Sequence, residues 1–253
     1  MKTKTIIPFL SMLLLVLFIG CDSSDNDNNE EAIAEEEVAE IVASSVASET
    51  AGVVIDIETT VEITVESTDT TTDPTNCGAS LDTTITRSQS SSLITHQYSA
   101  NYSYELDCDS TNNPTSLAVA FSYNGEFDAP RVASQNTGSG EFMITQIENT
   151  SDMYVINGLW NRSGSFQSKI RNKASRSVSV QFALVDVAVG KEPRDIDSGT
   201  IAFSLEGEGS SGNGEGSFSY EGTITFNGDG QMIIEFEGSR YIASTTTGEV
   251  EEG

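Results

Sequence analysis

The 253-residue chain sets 39 acidic side chains against 12 basic ones and a single histidine, for a formal net charge of −27 at pH 7. Phosphate backbones are held by clustered lysine and arginine, so this balance argues against nucleic acid as a partner. With 21 glycines, abundant Ser and Thr, and little Leu beyond residue 20, the composition favours β-structure with many turns.

The chain opens with Lys2 and Lys4 and no acid, followed by an apolar run from Ile6 to Ile19 broken only by Pro8 and Ser11. The run is shorter than the ~20 residues a membrane-spanning helix needs and suits the core of a signal peptide. Small Gly20 precedes Cys21, and polarity then changes abruptly to Asp22-Ser-Ser-Asp-Asn-Asp-Asn-Asn-Glu-Glu31. The segment Phe18-Ile19-Gly20-Cys21 resembles a bacterial lipobox, with Phe18 where that motif usually has Leu. The resemblance implies cleavage before Cys21 and lipidation of its thiol, palmitate-type acyl chains then holding the protein to a membrane. Acidic residues just behind the cysteine resemble the export tag of surface lipoproteins in the Bacteroidetes group. That implies an outer-membrane lipoprotein facing the cell surface. The alternative is a plain solvated tether, since so polar a segment cannot bury enough surface to order itself.

Cleavage there would remove two lysines and no acid, leaving ten basic side chains against 39 acids. Residues 1–20 are thus read as signal peptide and 21–30 as acidic tether. Residues 31–76 form a helical segment with a Thr-rich linker, 77–245 an antiparallel β domain and 246–253 an acidic tail. Over 31–49, Ala34, Val38, Ile41, Val42 and Val46 recur at helical spacing, with Asn29 as candidate cap and Gly52 just past the end. Such a helix either packs on its own domain or presents a face to a partner. Residues 53–76 are ambiguous: Val61, Ile63 and Val65 alternate like a strand, yet the helix could continue.

Cys77 and Cys108 remain after Cys21 is committed to lipid. In an exported protein they are expected to pair as a disulfide, the rivals being free thiols or a metal site. His96 is the sole histidine and no Cys-x-x-Cys is present, so metal is the weaker rival and no cofactor is expected.

From Leu81 onward the period becomes two. Tyr98, Tyr102, Tyr104 and Leu106 share a face, as do Leu117, Val119, Phe121 and Tyr123 before an expected Asn124-Gly125 turn. Val178, Val180, Phe182 and Leu184 share a face, and Val185, Val187 and Val189 then switch to the other, which a bulge or two-sided burial would explain. Ile201, Phe203 and Leu205 alternate, as do Phe218, Tyr220, Ile224 and Phe226. Asn227-Gly-Asp-Gly230 is a hairpin signal leading to Ile234 and Phe236. Lys191–Gly199 and Gly207–Gly216 read as loops. The fold class is mainly β: roughly nine strands in an antiparallel meander, forming a sandwich or a barrel-like sheet, with an N-terminal amphipathic helix. An open half-barrel holding lipid or another apolar ligand is a further option.

The runs Tyr154-Val-Ile-Asn-Gly-Leu-Trp-Asn-Arg-Ser-Gly-Ser-Phe-Gln-Ser-Lys-Ile-Arg-Asn-Lys173 and Gly216-Ser-Phe-Ser-Tyr-Glu-Gly-Thr-Ile-Thr-Phe226 resemble uncharacterised Bacteroidetes lipoproteins. These combine a lipobox signal, an N-terminal helix and a Gly-punctuated β-meander. The resemblance implies localisation and fold and carries no active site.

Candidate chemistry is thin. No Gly-x-Ser-x-Gly elbow is present, and His96 between Thr95 and Gln97 reads as a satisfied residue rather than a base. No carboxylate pair stands out for glycoside hydrolysis, and Trp160 is the only tryptophan for sugar stacking. Asp195-Ile-Asp197 and Asn227-Gly-Asp229 lack a calcium-loop pattern. Arg162, Lys169, Arg171, Lys173 and Arg176 form a local basic stripe. It could dock an acidic glycan, a lipopolysaccharide phosphate or the chain's own acidic helix, or protect a sheet edge. Asp69-Thr70-Thr, Asp82-Thr83-Thr and Asp109-Ser110-Thr resemble the O-glycosylation sequon of the same bacterial group. The expectation is a non-catalytic surface binding or structural module, with a glycan, lipid or protein as its unknown ligand. A lipid carrier is the alternative, and a carboxylate hydrolase ranks third.

Overall fold

The computed structural model describes residues 33–68, 77–148, 150–170, 175–211 and 214–253. The signal, Cys21, the tether, Asn29, Thr70, Arg171 and Lys173 lie outside the described residues. Two helices, α1 (Glu35–Val46) and α2 (Val53–Thr68), flank a 3-10 turn at Ser48–Thr50. Eleven strands follow: β1 (Ser80–Ser90), β2 (Thr95–Cys108), β3 (Pro114–Asp128), β4 (Val132–Thr145), β5 (Met153–Ser168) and β6 (Ser175–Gly190). Then come β7 (Ile196–Ser211), β8 (Gly214–Phe226), β9 (Gln231–Phe236), β10 (Ser239–Ser244) and β11 (Val250–Glu252). Each strand pairs antiparallel with its chain neighbour, in the order β1 to β11, so the sheet is a pure meander. Among the described residues β1 and β11 do not pair with each other, and the barrel stays open.

The sheet covers its apolar face with the helices. Val38, Val42, Val46, Ile57 and Val61 are fully buried, as are Ile201, Leu205 and Ile224 from the strands, all in one core. α1 has its three first-turn glutamates at the positive end of the helix dipole, but its N-cap is Ala34, with no side-chain cap. The turn to α2 needs Gly52, because a Cβ there would lie 2.4 Å from the Val46 carbonyl carbon.

α2 resolves the ambiguity of residues 53–68 in favour of helix, despite Val, Ile and Thr at most positions. Local propensity costs a few tenths of a kcal/mol per residue, whereas each fully buried aliphatic contributes about 1.5–3 kcal/mol. One buried hydroxyl bonds back to the helix, Thr64 Oγ1 donating to the Thr60 carbonyl at 2.8 Å, while the Thr60 hydroxyl is buried without a partner.

Several turn expectations are corrected. Asn124 and Gly125 sit inside β3, paired with Ser99 and Tyr98 on one side and Thr137 and Asn136 on the other. Gly125 is there for closeness: a Cβ would meet Asn136 Oδ1 at 2.9 Å and Ala51 Cβ at 3.0 Å. Residues 207–211 and 214–216, read as loop, are the facing ends of β7 and β8. Strand β7 likewise begins at Ile196, inside the segment read as loop. The Asn227–Gly230 turn joins β8 to β9 as expected. The switch at Val185 is a bulge. Pairing with β7 skips between Val185 and Ala188, Asp186 adopts φ 49°, and Val187 and Val189 rejoin the core face while Val185 stays exposed. The bulge is pinned from β5, Asn157 Oδ1 accepting from the Asp186 N–H at 2.9 Å.

The expected acidic tail folds back: Val250–Glu252 pairs with β10, and the loop before it accepts from the 3-10 turn, Ser48 N–H donating to Thr245 O at 3.0 Å. Of the two options for the helical segment, packing on its own domain is the one the shared core shows. Cys77 and Cys108 form a disulfide with Cα atoms 5.7 Å apart, closing 31 residues between the start of β1 and the end of β2. By loop entropy it stabilises by roughly 3–4 kcal/mol.

Candidate functional site

The polar centre of the interior is Asp56, in the segment Val53-Val-Ile-Asp-Ile57, with no solvent exposure. A lone acid within an aliphatic run is the only sequence signal for it, and sequence reading missed it. Tyr98 and Tyr102, two rungs apart on β2, both donate to Oδ1, Tyr102 at 2.7 Å. Trp160 on β5 donates its indole N–H to Oδ2 at 2.8 Å. Burial pushes the Asp56 carboxyl up to about 6, while these donors and the Arg87 charge pull it back. Both phenols are held well above their ordinary value by burial first.

Stacked aromatics frame this carboxylate. Tyr98 stacks on Tyr123 at 5.6 Å between centroids, Tyr123 on Trp160 at 5.6 Å, and Trp160 on Phe182 at 5.0 Å. The row crosses β4 where Gly138 leaves room for the Tyr123 ring. With Asp56 enclosed on all sides, the arrangement orients α2 on the sheet and offers no open face to a solute.

Sheet arginines hold the acidic helices from several strands. Arg87 of β1 donates to Glu62 at 2.8 Å and to Thr59 Oγ1 at 2.9 Å. Arg131, just before β4, reaches Glu36 and Glu40. Arg162 is 4% exposed; it donates to the Ser44 carbonyl at 3.0 Å and Ser134 Oγ at 3.1 Å, and lies over the Phe127 ring. Burial lowers its pKa to about 10, which leaves it charged at neutral pH. Arg176 pairs with Glu37 at 2.7 Å, both side chains below a tenth exposed. Lys169 pairs with Asp128. The expected basic stripe is therefore not an open anion site among the described residues. Of its proposed targets, the chain's own acidic helix is the one Arg176 meets. Edge protection does not apply either, because β5 and β6 are interior strands.

His96 is satisfied, its Nδ1 lying 2.9 Å from the Glu49 carbonyl oxygen, and burial lowers its pKa. Asp109 closes the β2–β3 turn by accepting from the Thr111 and Asn113 N–H groups, which hold its carboxyl well below the usual range. Ser110 is exposed in that turn, whereas Thr83 lies within β1 and is half-buried. No group of three or more potential metal ligands clusters among the described residues. Asp195 and Asp229 line a cavity of about 270 Å³ at one end of the sheet, together with Glu58 and Arg194.

The outer face is a different surface. Paired register places Thr84, Asn101, Ser122, Ser139 and Asn161 in one row across β1–β5, with Thr84 Oγ1 donating to Asn101 at 2.8 Å and Asn161 to Ser139 at 3.0 Å. Ser88, Gln97, Glu126, Gln135 and Ser165 form a parallel row. Grooves of about 760 and 730 Å³ share the first four residues of that second row. Leu159 and Met143 stand exposed farther along the same face, beside a groove of about 550 Å³. Comparison with protein-family models, curated proteins and solved structures finds no match.

Proposed function

We propose that this chain is an exported lipoprotein, acylated at Cys21 and facing outward from the outer membrane, whose β domain serves as a non-catalytic binding or structural module. The observation that carries the module reading is the division of its side chains. The groups most able to do chemistry, Asp56, His96 and Arg162, are bound up inside, tying helices to sheet. The outer face presents rows of short hydroxyl and amide groups with polar grooves between them. Such a face suits recognition of a polar polymer or a protein by many weak hydrogen bonds. Helix side chains fill the concave side, which favours a module over a carrier of apolar cargo. The anchoring part rests on the apolar leader, the Phe18-Ile-Gly-Cys21 segment and the acidic residues behind it.

The test is metabolic labelling with an alkyne fatty acid in a Bacteroidetes host, followed by protease treatment of intact cells. The native chain should incorporate label and be shaved from the surface; Cys21→Ser should lose both label and membrane association. Unlabelled native chain in the membrane fraction sinks the lipoprotein reading. Native mass spectrometry of the extracted protein should show bare chain plus its own acyl groups. Co-purified free lipid would replace the module reading with the carrier.

A further inference from the structure

The two edges of the sheet differ in kind. β11 is three residues long with the sequence Val-Glu-Glu, and a short acidic edge discourages strand addition. β1 is eleven residues long, Ser-Leu-Asp-Thr-Thr-Ile-Thr-Arg-Ser-Gln-Ser, without proline, lysine or glycine. Its register with β2 runs unbroken from Ser80↔Glu105 to Ser90↔Thr95. Among the described residues it pairs with β2 alone, so every second N–H and C=O along it faces away from the sheet. An edge of this length, rich in β-branched Thr, is a template for one more strand.

Charge selects the kind of strand. β1 holds one acid and one base, Asp82 and Arg87, on a chain of net −27. Beneath it lie Glu58 and Glu62 of α2, one turn apart. Arg87 points inward from the edge strand and lies 2.8 Å from Glu62 and 3.8 Å from Glu58. Both glutamates keep about two-fifths of their side-chain surface exposed, at 40% and 45%, so one arginine does not cover them. An added strand lies about 4.8 Å farther out, and its inward basic side chains have the same reach that Arg87 demonstrates. A second copy of the chain brings a single basic residue on its own β1, together with the repulsion of two strongly acidic bodies.

We propose that the open edge of β1 is a docking site for an extended peptide segment carrying basic side chains at alternate positions. The proposal rests on the binding-module reading of the β domain. The peptide pairs antiparallel or parallel with β1, its backbone completing the edge. One set of side chains turns in toward Glu58 and Glu62, and the other continues the hydroxyl rows of the outer face.

The probe is a synthetic peptide of about ten residues alternating Thr and Lys, set against one alternating Thr and Glu. Binding to the full chain in detergent is followed by fluorescence anisotropy and by amide hydrogen exchange. The Thr/Lys peptide should bind saturably and slow exchange within residues 82–88. The Thr/Glu peptide should bind at least about tenfold more weakly. Thr84→Pro leaves the net charge unchanged and should abolish both binding and protection. Glu58→Gln leaves the backbone untouched and should weaken the Thr/Lys peptide several-fold. Binding that ignores Thr84→Pro, or slows exchange evenly over the acidic surface, overturns the proposal as diffuse charge attraction. Unchanged affinity in Glu58→Gln removes the basic-peptide specificity. Spontaneous crosslinked dimers of Ile85→Cys under mild oxidation assign the edge to a second copy instead. These readouts do not depend on Cys21 acylation, so their failure leaves the lipoprotein reading standing.

Discussion

Trp160 on β5 and Asp56 on α2, 104 residues apart in sequence, meet through a 2.8 Å indole N–H to carboxylate hydrogen bond, both residues being buried. This bond and the two phenols opposite it join the helix to both flanks of the aromatic row. Removing the acceptor strands the indole N–H and one phenol at once, the other phenol keeping its neighbour, 2.7 Å away, as an acceptor. Asp56→Ala is expected to destabilise the fold by about 3–5 kcal/mol, while Trp160→Phe leaves one oxygen short of a donor and costs about 1–3 kcal/mol. Urea unfolding followed by Trp and Tyr signals measures both; a cost below that of ordinary surface substitutions for Asp56→Ala would show the contact to be incidental.

The same carboxyl sets a pH dependence. Its folded value near 6 lies above the ordinary 3.8, so the folded state holds the proton more tightly than the unfolded chain. Stability from this group therefore falls as pH rises from about 4 to about 6, and the full penalty, about 3 kcal/mol, is present above 6. Relative to Asp56→Asn, the native chain should gain stability on acidification through that window. A flat difference between the two proteins from pH 4 to 7 contradicts the shift.

Two ion pairs predict opposite outcomes. Arg176 and Glu37 are almost wholly buried, whereas Arg240 and Glu235 lie 3.9 Å apart with about half of each side chain in water. Arg176→Ala leaves a buried carboxylate alone and should cost about 3–5 kcal/mol; Arg240→Ala should cost less than about 0.5 kcal/mol. The double variant Arg176→Met with Glu37→Met should recover most of the loss, because two apolar chains need no partner. Thermal unfolding of the variants decides it.

Glycines at close approach behave unlike glycines in turns. A Cβ on Gly138 would come within 2.5 Å of the Tyr123 ring and 2.1 Å of the Asn161 carbonyl oxygen, while at Gly230 nothing lies within 4 Å. Gly138→Ala should cost about 1–3 kcal/mol or more and weaken the near-UV circular dichroism of the Tyr123–Trp160 stack. Gly230→Ala, at φ 70°, should cost only about 1–2 kcal/mol and leave that signal intact.

The faces of the strands were legible because side chains alternate with period two whatever the surroundings: Tyr98 and Tyr102, or Ile201 and Leu205, could be assigned to one side from sequence. The polar centre was not. Asp56 looks like any acid until two tyrosines from one strand and a tryptophan from another converge on it. Arg162 and Arg176 read as a stripe because sequence proximity stood in for spatial proximity, yet each side chain goes to a different part of α1.

The sequence by itself determined an antiparallel β fold, the Cys77–Cys108 pair and the Asn227–Gly230 turn, because alternation, cysteine number and turn chemistry are local properties. Tertiary structure alone decided that Val53–Thr68 is helix, since its β-branched residues are overruled by burial inside the curved sheet. It alone decided that Gly125 serves packing rather than turning, because only the neighbouring strand and Ala51 show that no Cβ fits. The open edge at β1 belongs to the same class: a strand's sequence states that it will pair, and only the assembled sheet shows that one side of it has no partner among the described residues.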